Sequence, residues 1–276
     1  LKKLGLIAVL ACWGLLALAT VDFPRWGDPA SPAATHLSPR YIEQGAEATG
    51  APNLVTAVLA DYRGYDTMFE TAVVFTAGMA CFFLLRFFRK QQPEKTLYRH
   101  RPTGVVLQVK PGHRLAGGLP GLERIDSQWT PYDPITSAAS RILIPFIQIF
   151  ALYVVAHGHH SPGGGFQGGV ILGASFILLA LSQDLRTAQS RLGEKANVLA
   201  SSLGVLIYVG VGCLALVWGA NFLDYAALAG PLGVEAAQAR SLGILFVEIG
   251  VAVAVMATMF LIYRVLVSAG ALDEGL

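Results

Sequence analysis

Gly158-His159-His160-Ser161-Pro162-Gly163-Gly164-Gly165-Phe166-Gln167-Gly168-Gly169 lies between two apolar runs, residues 142–156 and 170–181. Seven of its twelve residues are glycine or proline, and two histidines stand at its head. Glycine at the edge of an apolar run lets backbones approach closely. Irregular backbone at membrane depth is tolerated only where protein or a wet cavity covers it. The stretch therefore predicts a packed, non-helical crossing inside a membrane assembly.

The rest of the chain agrees. Hydrophobic residues make up 54% of the 276 and charged residues 14%, against roughly 25% charged in a soluble domain. Six segments approach the ~20 residues a bilayer crossing needs: residues 4–21, 68–88, 142–156, 169–181, 198–220 and 242–267. The fold class that follows is an all-α integral membrane protein with six transmembrane helices, two and then four. Ala17-Leu18-Ala19 approaches a small-x-small cleavage pattern, but the run before it is longer than a usual signal core, so an uncleaved anchor is expected. Cys12, Cys81 and Cys213 lie in apolar runs and read as small buried hydrophobes.

Charge sets the orientation. With both termini cytoplasmic, all of the 20 basic residues except Arg25, Arg40, Arg63 and Arg240 fall inside. These residues flank spans, so nucleic acid is not implied as a partner. Residues 22–52 form an outer loop rich in Pro, Ala and Ser. Residues 89–140 form a long inner loop with a β-like segment at 104–110 and a turn-rich one at 117–121. Arg141 and Arg264 read as anchors at inner span ends.

Three constellations could carry chemistry. In the first, Asp61, Arg63 and Asp66 form a polar knot before the second span, where Arg63 can pair with either aspartate. Asp66 can cap that span, with Glu70 one turn on and on the same face. The plain reading is a capped helix entry with one ion pair, yet Glu70 stands inside the span, where an ionisable group must face protein or water. The second is Glu248, seven residues beyond Ser241 and roughly 10 Å into the last span. A carboxylate there costs on the order of 2.5–3.5 kcal/mol on insertion scales. No basic residue lies near it in sequence, which suits a proton relay, with a structural hydrogen bond as the rival reading. The third is the opening stretch itself. Its histidines lack the spacing of a zinc site, but His159 could handle protons near neutral pH. Its glycines are not followed by Lys-Ser/Thr, which argues against a phosphate loop. No haem, flavin or iron–sulfur motif is present, so no cofactor is expected and the chain reads as non-catalytic.

These residues carry two resemblances. Residues 141–181, with Tyr153 before Gly158-His159-x-x-Pro162-Gly163-Gly164-Gly165-Phe166-x-Gly168-Gly169, resemble the B-type subunit of multi-subunit Mrp Na+/H+ antiporters; Glu248-Ile249-Gly250-Val251 resembles the acidic segment of that family's last helix. Residues 53–70, with Leu59-Ala60-Asp61-Tyr62-Arg63-Gly64-Tyr65-Asp66-Thr67, resemble the C-terminal module of the A-type Mrp subunit, which is also a separate E-type subunit in membrane-bound hydrogenases; Tyr62 and Tyr65 replace that pattern's Phe residues. The chain thus resembles a fusion: residues 1–100 as a two-span module, 101–140 as a cytoplasmic linker, and 141–276 as a four-span module.

The resemblance implies a component of a cation/proton antiporter in the inner membrane, with other Mrp-type subunits as partners and Na+ and H+ as transported ions. It implies that Glu70 and Glu248 are ion-path carboxylates, that Asp61, Arg63, Asp66 and His159 shape the path, and that Pro162, Gly163, Gly164, Gly165, Phe166, Gly168 and Gly169 seal helix and subunit packing. The large antiporter-like part of the A-type subunit, with its broken helices, has no counterpart in these residues. The alternatives are the membrane arm of a hydrogenase-like, ion-pumping respiratory complex, whose redox chemistry would reside in partner subunits, and a purely structural scaffold.

Overall fold

The computed structural model describes residues 2–87, 96–109, 121–125 and 133–268. The chain divides into two compact units, Leu1–Gly45 and Ala46–Leu276. The first holds α1 (Lys2–Ala19), an apolar helix whose Leu4, Leu10, Trp13 and Leu18 are all exposed. Such a helix needs lipid or a neighbouring protein around it. The stretch expected to be an outer loop contains instead a wide turn, Ala33–Leu37, and a helix, α2 (Ser38–Thr49). Most of that helix is polar, so no apolar run announced it.

In the second unit Asn53 caps a single helical turn, α3 (Leu54–Thr56), by accepting from the Val55 amide. The chain then opens into a π-type turn, Ala57–Tyr62, closed by the Arg63 amide on the Val58 carbonyl at 2.7 Å. The helix α4 (Gly64–Phe87) follows. Three short antiparallel strands, β1 (Thr96–His100), β2 (Val106–Val109) and β3 (Leu122–Ile125), form a sheet in the order β2-β1-β3. The β-like reading of 104–110 matches β2, and the small sheet adds strand content to a chain expected to be all-α. The turn-rich segment at 117–121 lies outside the described residues except for Gly121.

The remaining helices are α5 (Pro134–Ala156), α6 (Gly165–Ser182), α7 (Leu185–Arg191), α8 (Glu194–Val217), α9 (Ala229–Leu232) and α10 (Ala236–Ser268). Asp133 caps α5 by accepting from the Ile135 amide, and Pro134 occupies the first turn, where its missing N–H costs nothing. This start precedes the apolar run at 142 because polar residues carry the first two turns. Among the described residues six helices, namely α1, α4, α5, α6, α8 and α10, are long and apolar enough to cross a membrane. The non-helical crossing expected around the glycines is confined to residues 157–164. From Gly165 onward the backbone is helical, because glycine at the start of α6 serves close packing and not an extended path.

The helix α10 is the axis of this unit, buried on most sides by α4, α6 and α8. Its contact with α6 is a stripe of small residues. Gly165, Gly169 and Gly173 stand four apart and meet Glu248, Ala252 and Met256, also four apart, so the two helices run side by side in the same direction. A Cβ on Gly165 would lie 2.1 Å from the Glu248 carbonyl oxygen, and one on Gly169 would lie 2.7 Å from that of Ala252. On another side of α10, a Cβ on Gly204 of α8 would lie 2.5 Å from the Gly250 carbonyl oxygen. Small residues allow such backbone approach in a membrane, where apolar side chains gain nothing by leaving lipid.

At one end of the bundle Glu194 bridges two arginines, Arg86 at 2.7 Å and Arg264 at 3.5 Å. Arg264 is therefore not a surface anchor. Its side chain is 2% exposed, because α10 packs against α8 up to its last turns and Glu194 supplies a counter-charge from the start of α8.

Candidate functional site

The two expected carboxylates, Glu70 and Glu248, line one cavity of about 190 Å³ between α4, α6, α8 and α10. The π-type turn places this opening. By widening the backbone at Ala57–Tyr62 it leaves Leu59 and Ala60 on the wall and turns α4 so that Thr67 and Glu70 follow them. The Thr67 hydroxyl donates to the Leu59 carbonyl at 2.8 Å and pins α4 to the turn. Tyr208 of α8 donates to the Gly64 carbonyl at 2.8 Å, and Tyr225 to the Ala60 carbonyl at 3.0 Å. Both tyrosines are fully buried.

Glu248 forms the inner wall. It is 8% exposed, and its Oε2 has no hydrogen-bond partner among the described residues. No lysine or arginine pairs with it there. Its carboxylate is wrapped by the glycine stretch: a Cβ on Gly158 would lie 2.8 Å from Oε2, and one on Gly164 would lie 2.7 Å from Oε1. Gly164 has φ +129°, a backbone conformation that side chains rarely adopt. The glycines thus leave room for a carboxylate where any larger residue would fill it. Glu70 stands at the exposed side of the cavity without a partner among the described residues.

The polar knot before α4 divides in two. Arg63 pairs with Asp66 alone, and both are about half exposed. Asp61 pairs with Arg240 of α10 at 3.1 Å, so an arginine far away in sequence replaces the expected neighbour. Asp61 is 5% exposed on its side chain. Burial pushes its carboxyl up to about 6, with Arg240 pulling down and Asp224 adding to the rise. Asp61 and Arg240 do not line the cavity.

His159 is buried, and its Nε2 lies 2.9 Å from the Ser241 carbonyl oxygen, a bond that ties the turn to α10. His157 ends α5 and stacks on Tyr153 at 5.0 Å, and His160 is exposed. His157 and His160 also face each other, with ring centroids 5.4 Å apart, while His159 is turned away toward α10, so the three share no common centre. Among the packing candidates Gly164, Gly165, Gly168 and Gly169 are buried. Gly163 is half-buried, and Pro162 and Phe166 are exposed. Gly163, Gly165 and Phe166 also line the cavity.

Sequence reasoning passed over the seam that joins the Asn53–Glu70 segment to the glycine turn. The Asn53 amide group donates to the carbonyls of Gly158 at 2.8 Å and Ser161 at 2.7 Å. The Asn53 backbone amide donates to the His159 carbonyl at 2.8 Å, and the Thr56 hydroxyl to that of Gly158 at 2.8 Å. Asn53, which follows Pro52 and precedes an apolar run, carries the N-cap signal that marks this region in the sequence.

Two family descriptions match the chain. Residues 135–261 match a domain related to the MnhB subunit of Na+/H+ antiporter, and residues 3–101 match MbhE, the E-type subunit of MBH. A probable K(+)/H(+) antiporter A/B subunit of Rhizobium meliloti (strain 1021) is 26% identical over 91% of this chain and 24% of its own length. The chain thus spans about a quarter of that relative. The Na(+)/H(+) antiporter B-type subunit of Bacillus subtilis (strain 168) is 32% identical over 46% of this chain and 92% of its own length. Among solved structures, the Mrp complex from Dietzia sp. DQ12-45-1b contains a chain 25% identical, with a TM-score of 0.59, over 99% of this chain and 26% of that one. The membrane-bound sulfane sulfur reductase, an archaeal respiratory membrane complex, contains a chain of the same fold at a TM-score of 0.55 and 24% identity, over 94% of this chain and 97% of that one.

Proposed function

The chain belongs to the family of B-type Na+/H+ antiporter subunits, and on that premise we propose that it is a non-catalytic membrane component of a multi-subunit Mrp-type cation/proton antiporter. It acts in the inner membrane beside other subunits and helps to build the path for H+ and a monovalent cation. The observation that carries this reading is the cavity that Glu70 and Glu248 share. One carboxylate stands at the accessible side and the other is buried without a cation. Two acids on one small, largely apolar cavity can pass a proton or hold a cation between them, with room for water beside the carboxylates.

In this reading Glu248 is the inner acceptor, and the glycines at 158 and 164 keep its carboxylate unobstructed. Glu70 is the entry group. Asp61, Arg63 and Asp66 hold the turn that shapes the entrance, and His159 fixes the glycine turn to α10. Pro162, Gly163, Gly164, Gly165, Phe166, Gly168 and Gly169 serve helix and subunit packing, with Pro162 and Phe166 facing outward toward partners. The modules are residues 1–100, 101–140 and 141–276, with two spans before the linker and four after it. Both termini and the linker lie on the cytoplasmic side, where the charge asymmetry places them.

A second reading rests on the match to the E-type component of a membrane-bound hydrogenase: the same chain would serve a redox-driven complex, with the electron chemistry in its partners. Mass spectrometry of the complex purified from native membranes separates the two by the proteins that accompany the chain.

The central test is Glu248→Gln. Gln keeps shape and hydrogen bonding but cannot exchange a proton. The variant is expected to assemble, to lose most cation-driven proton movement in membrane vesicles, and to regain part of it as Glu248→Asp. Wild-type antiport in the Gln variant from about pH 7 to 9, the range in which a titrating relay should matter, would leave Glu248 as a structural residue.

A further inference from the structure

A second cavity, of about 650 Å³, lies between α5, α6 and α7, away from the carboxylates. Its lining includes Arg141 of α5, Arg191 at the end of α7, and the neutral polar groups of Gln148, Gln183 and Thr187. No aspartate or glutamate among the described residues lines it, and neither arginine pairs with a carboxylate among them. Two guanidinium groups without counter-charges facing one groove make a site for an anion.

The walls are fixed. On α7, Leu185 and Ala188 are buried against the core with Ile144, Leu179 and Phe260, so Thr187 and Arg191, one turn apart, are left to face the groove. On α5, Gln148 donates to the Ser175 hydroxyl at 3.2 Å. Pro145 has no N–H, so the Arg141 carbonyl lacks its usual helical donor beside the groove.

On the adjoining face of α5 the character changes. Ile142, Phe146 and Ile149 are exposed along the next turns of α5. The groove lies at the end of the bundle that carries the Arg86–Glu194–Arg264 cluster, where α4 and α10 end and α8 begins. A polar, doubly basic head site continuing into an exposed apolar strip matches one amphiphile.

We infer that this groove binds an anionic phospholipid, with its phosphodiester on Arg141 and Arg191, headgroup hydroxyls toward Gln183 and Thr187, ester carbonyls toward Gln148, and acyl chains along Ile142, Phe146 and Ile149. The inference is independent of the transport reading.

The experiment uses the full chain with its accompanying subunits, purified in mild detergent, and measures retained lipids by mass spectrometry. The double variant Arg141→Gln/Arg191→Gln should lose phosphatidylglycerol relative to zwitterionic lipid by about tenfold or more, given the usual worth of two arginines against an anionic headgroup. Lys195→Gln, an exposed basic residue outside the groove, should change nothing. Equal retention in the double variant, or equal loss in the Lys195 variant, overturns the site.

After delipidation, phosphatidylglycerol micelles should raise the unfolding temperature of the wild type, and phosphatidylcholine micelles should not. The same rise with inorganic phosphate alone would mark a free-anion site and overturn the lipid. If the double variant does not accumulate, a photoactivatable phosphatidylglycerol on the wild type decides. Crosslinks should fall in α5 and α7, and crosslinks only elsewhere, or a neighbouring protein found seated on the groove, refute it.

Discussion

Gly165→Ala adds one methyl group at the tightest point between α6 and α10. The new Cβ would sit 2.1 Å from the Glu248 carbonyl oxygen, 2.8 Å from its carbonyl carbon and 2.9 Å from its Cα, all backbone atoms with no rotamer to change. Ordinary contact begins at 3.4 Å, so α6 must retreat by 1.3 Å (3.4 − 2.1) or tilt about that point. The retreat would also open the contacts at Gly169 and Gly173 and pull the turn off the Glu248 carboxylate. Overpacking costs about 1–3 kcal/mol, and a backbone obstacle puts this case at the upper end.

Gly210→Ala is the control. It lies inside α8 with nothing within 4 Å of its Cβ position, and Ala for Gly in a helix is worth roughly 0.5–1 kcal/mol of stability. The two variants should therefore shift in opposite directions from wild type and differ by about 4 kcal/mol, a spread on the order of 8–16 °C in midpoint. Size-exclusion profiles of detergent-purified protein heated in steps would read this directly. A Gly165→Ala midpoint equal to wild type, or a Gly210→Ala midpoint lowered as much, would refute the close-packed stripe.

Three further outcomes are expected. Glu194→Gln strands the buried Arg264 beside Arg86 and should cost about 3–5 kcal/mol, more than Arg86→Gln, which leaves the Glu194–Arg264 pair intact; thermal midpoints of the two variants check the order. Asp61, raised from 3.8 to about 6, binds its proton more tightly folded than unfolded, so its contribution makes stability fall as pH rises through that window. Asp61→Asn should flatten the midpoint-versus-pH curve between about pH 4 and 6, and an unchanged slope would assign it to other groups. Glu70→Gln should leave the complex intact on native gels yet lower coupled transport in vesicles, and normal transport would reduce Glu70 to a helix-entry residue.

The spans were legible because each is a long apolar run, and solvent exclusion alone demands helices there. The meeting of Glu70 with Glu248 was half legible. Each acid stood out within its own run, but only packing of α4 against α10 puts them on one cavity. The pairing of Asp61 was not legible, since Arg240 is far away in sequence and Arg63 is the nearer candidate by position. Arg264 was misread for a related reason. A basic residue near a span end is usually an anchor, and nothing local reveals that Glu194 of another helix meets it. The stripe at 165, 169 and 173 was written in the spacing, but the facing residues, four apart from Glu248 onward, emerge only with the register of two parallel helices. α2 carries too few apolar residues for hydropathy to mark it.

The seam at the glycine turn is made of side chains on one segment and main-chain carbonyls on the other. Asn53 and Thr56 donate to Gly158 and Ser161, while Tyr208 and Tyr225 donate back to Gly64 and Ala60. Every peptide unit offers a carbonyl whatever its residue, so each partner can change its acceptor sequence without losing the bond, provided the added bulk fits. Recognition of this kind works as well between two polypeptides as within one. Cutting the chain between residues 110 and 120 and co-expressing the halves should therefore give a pair that still purifies together, and the covalent join is a matter of gene arrangement more than of architecture.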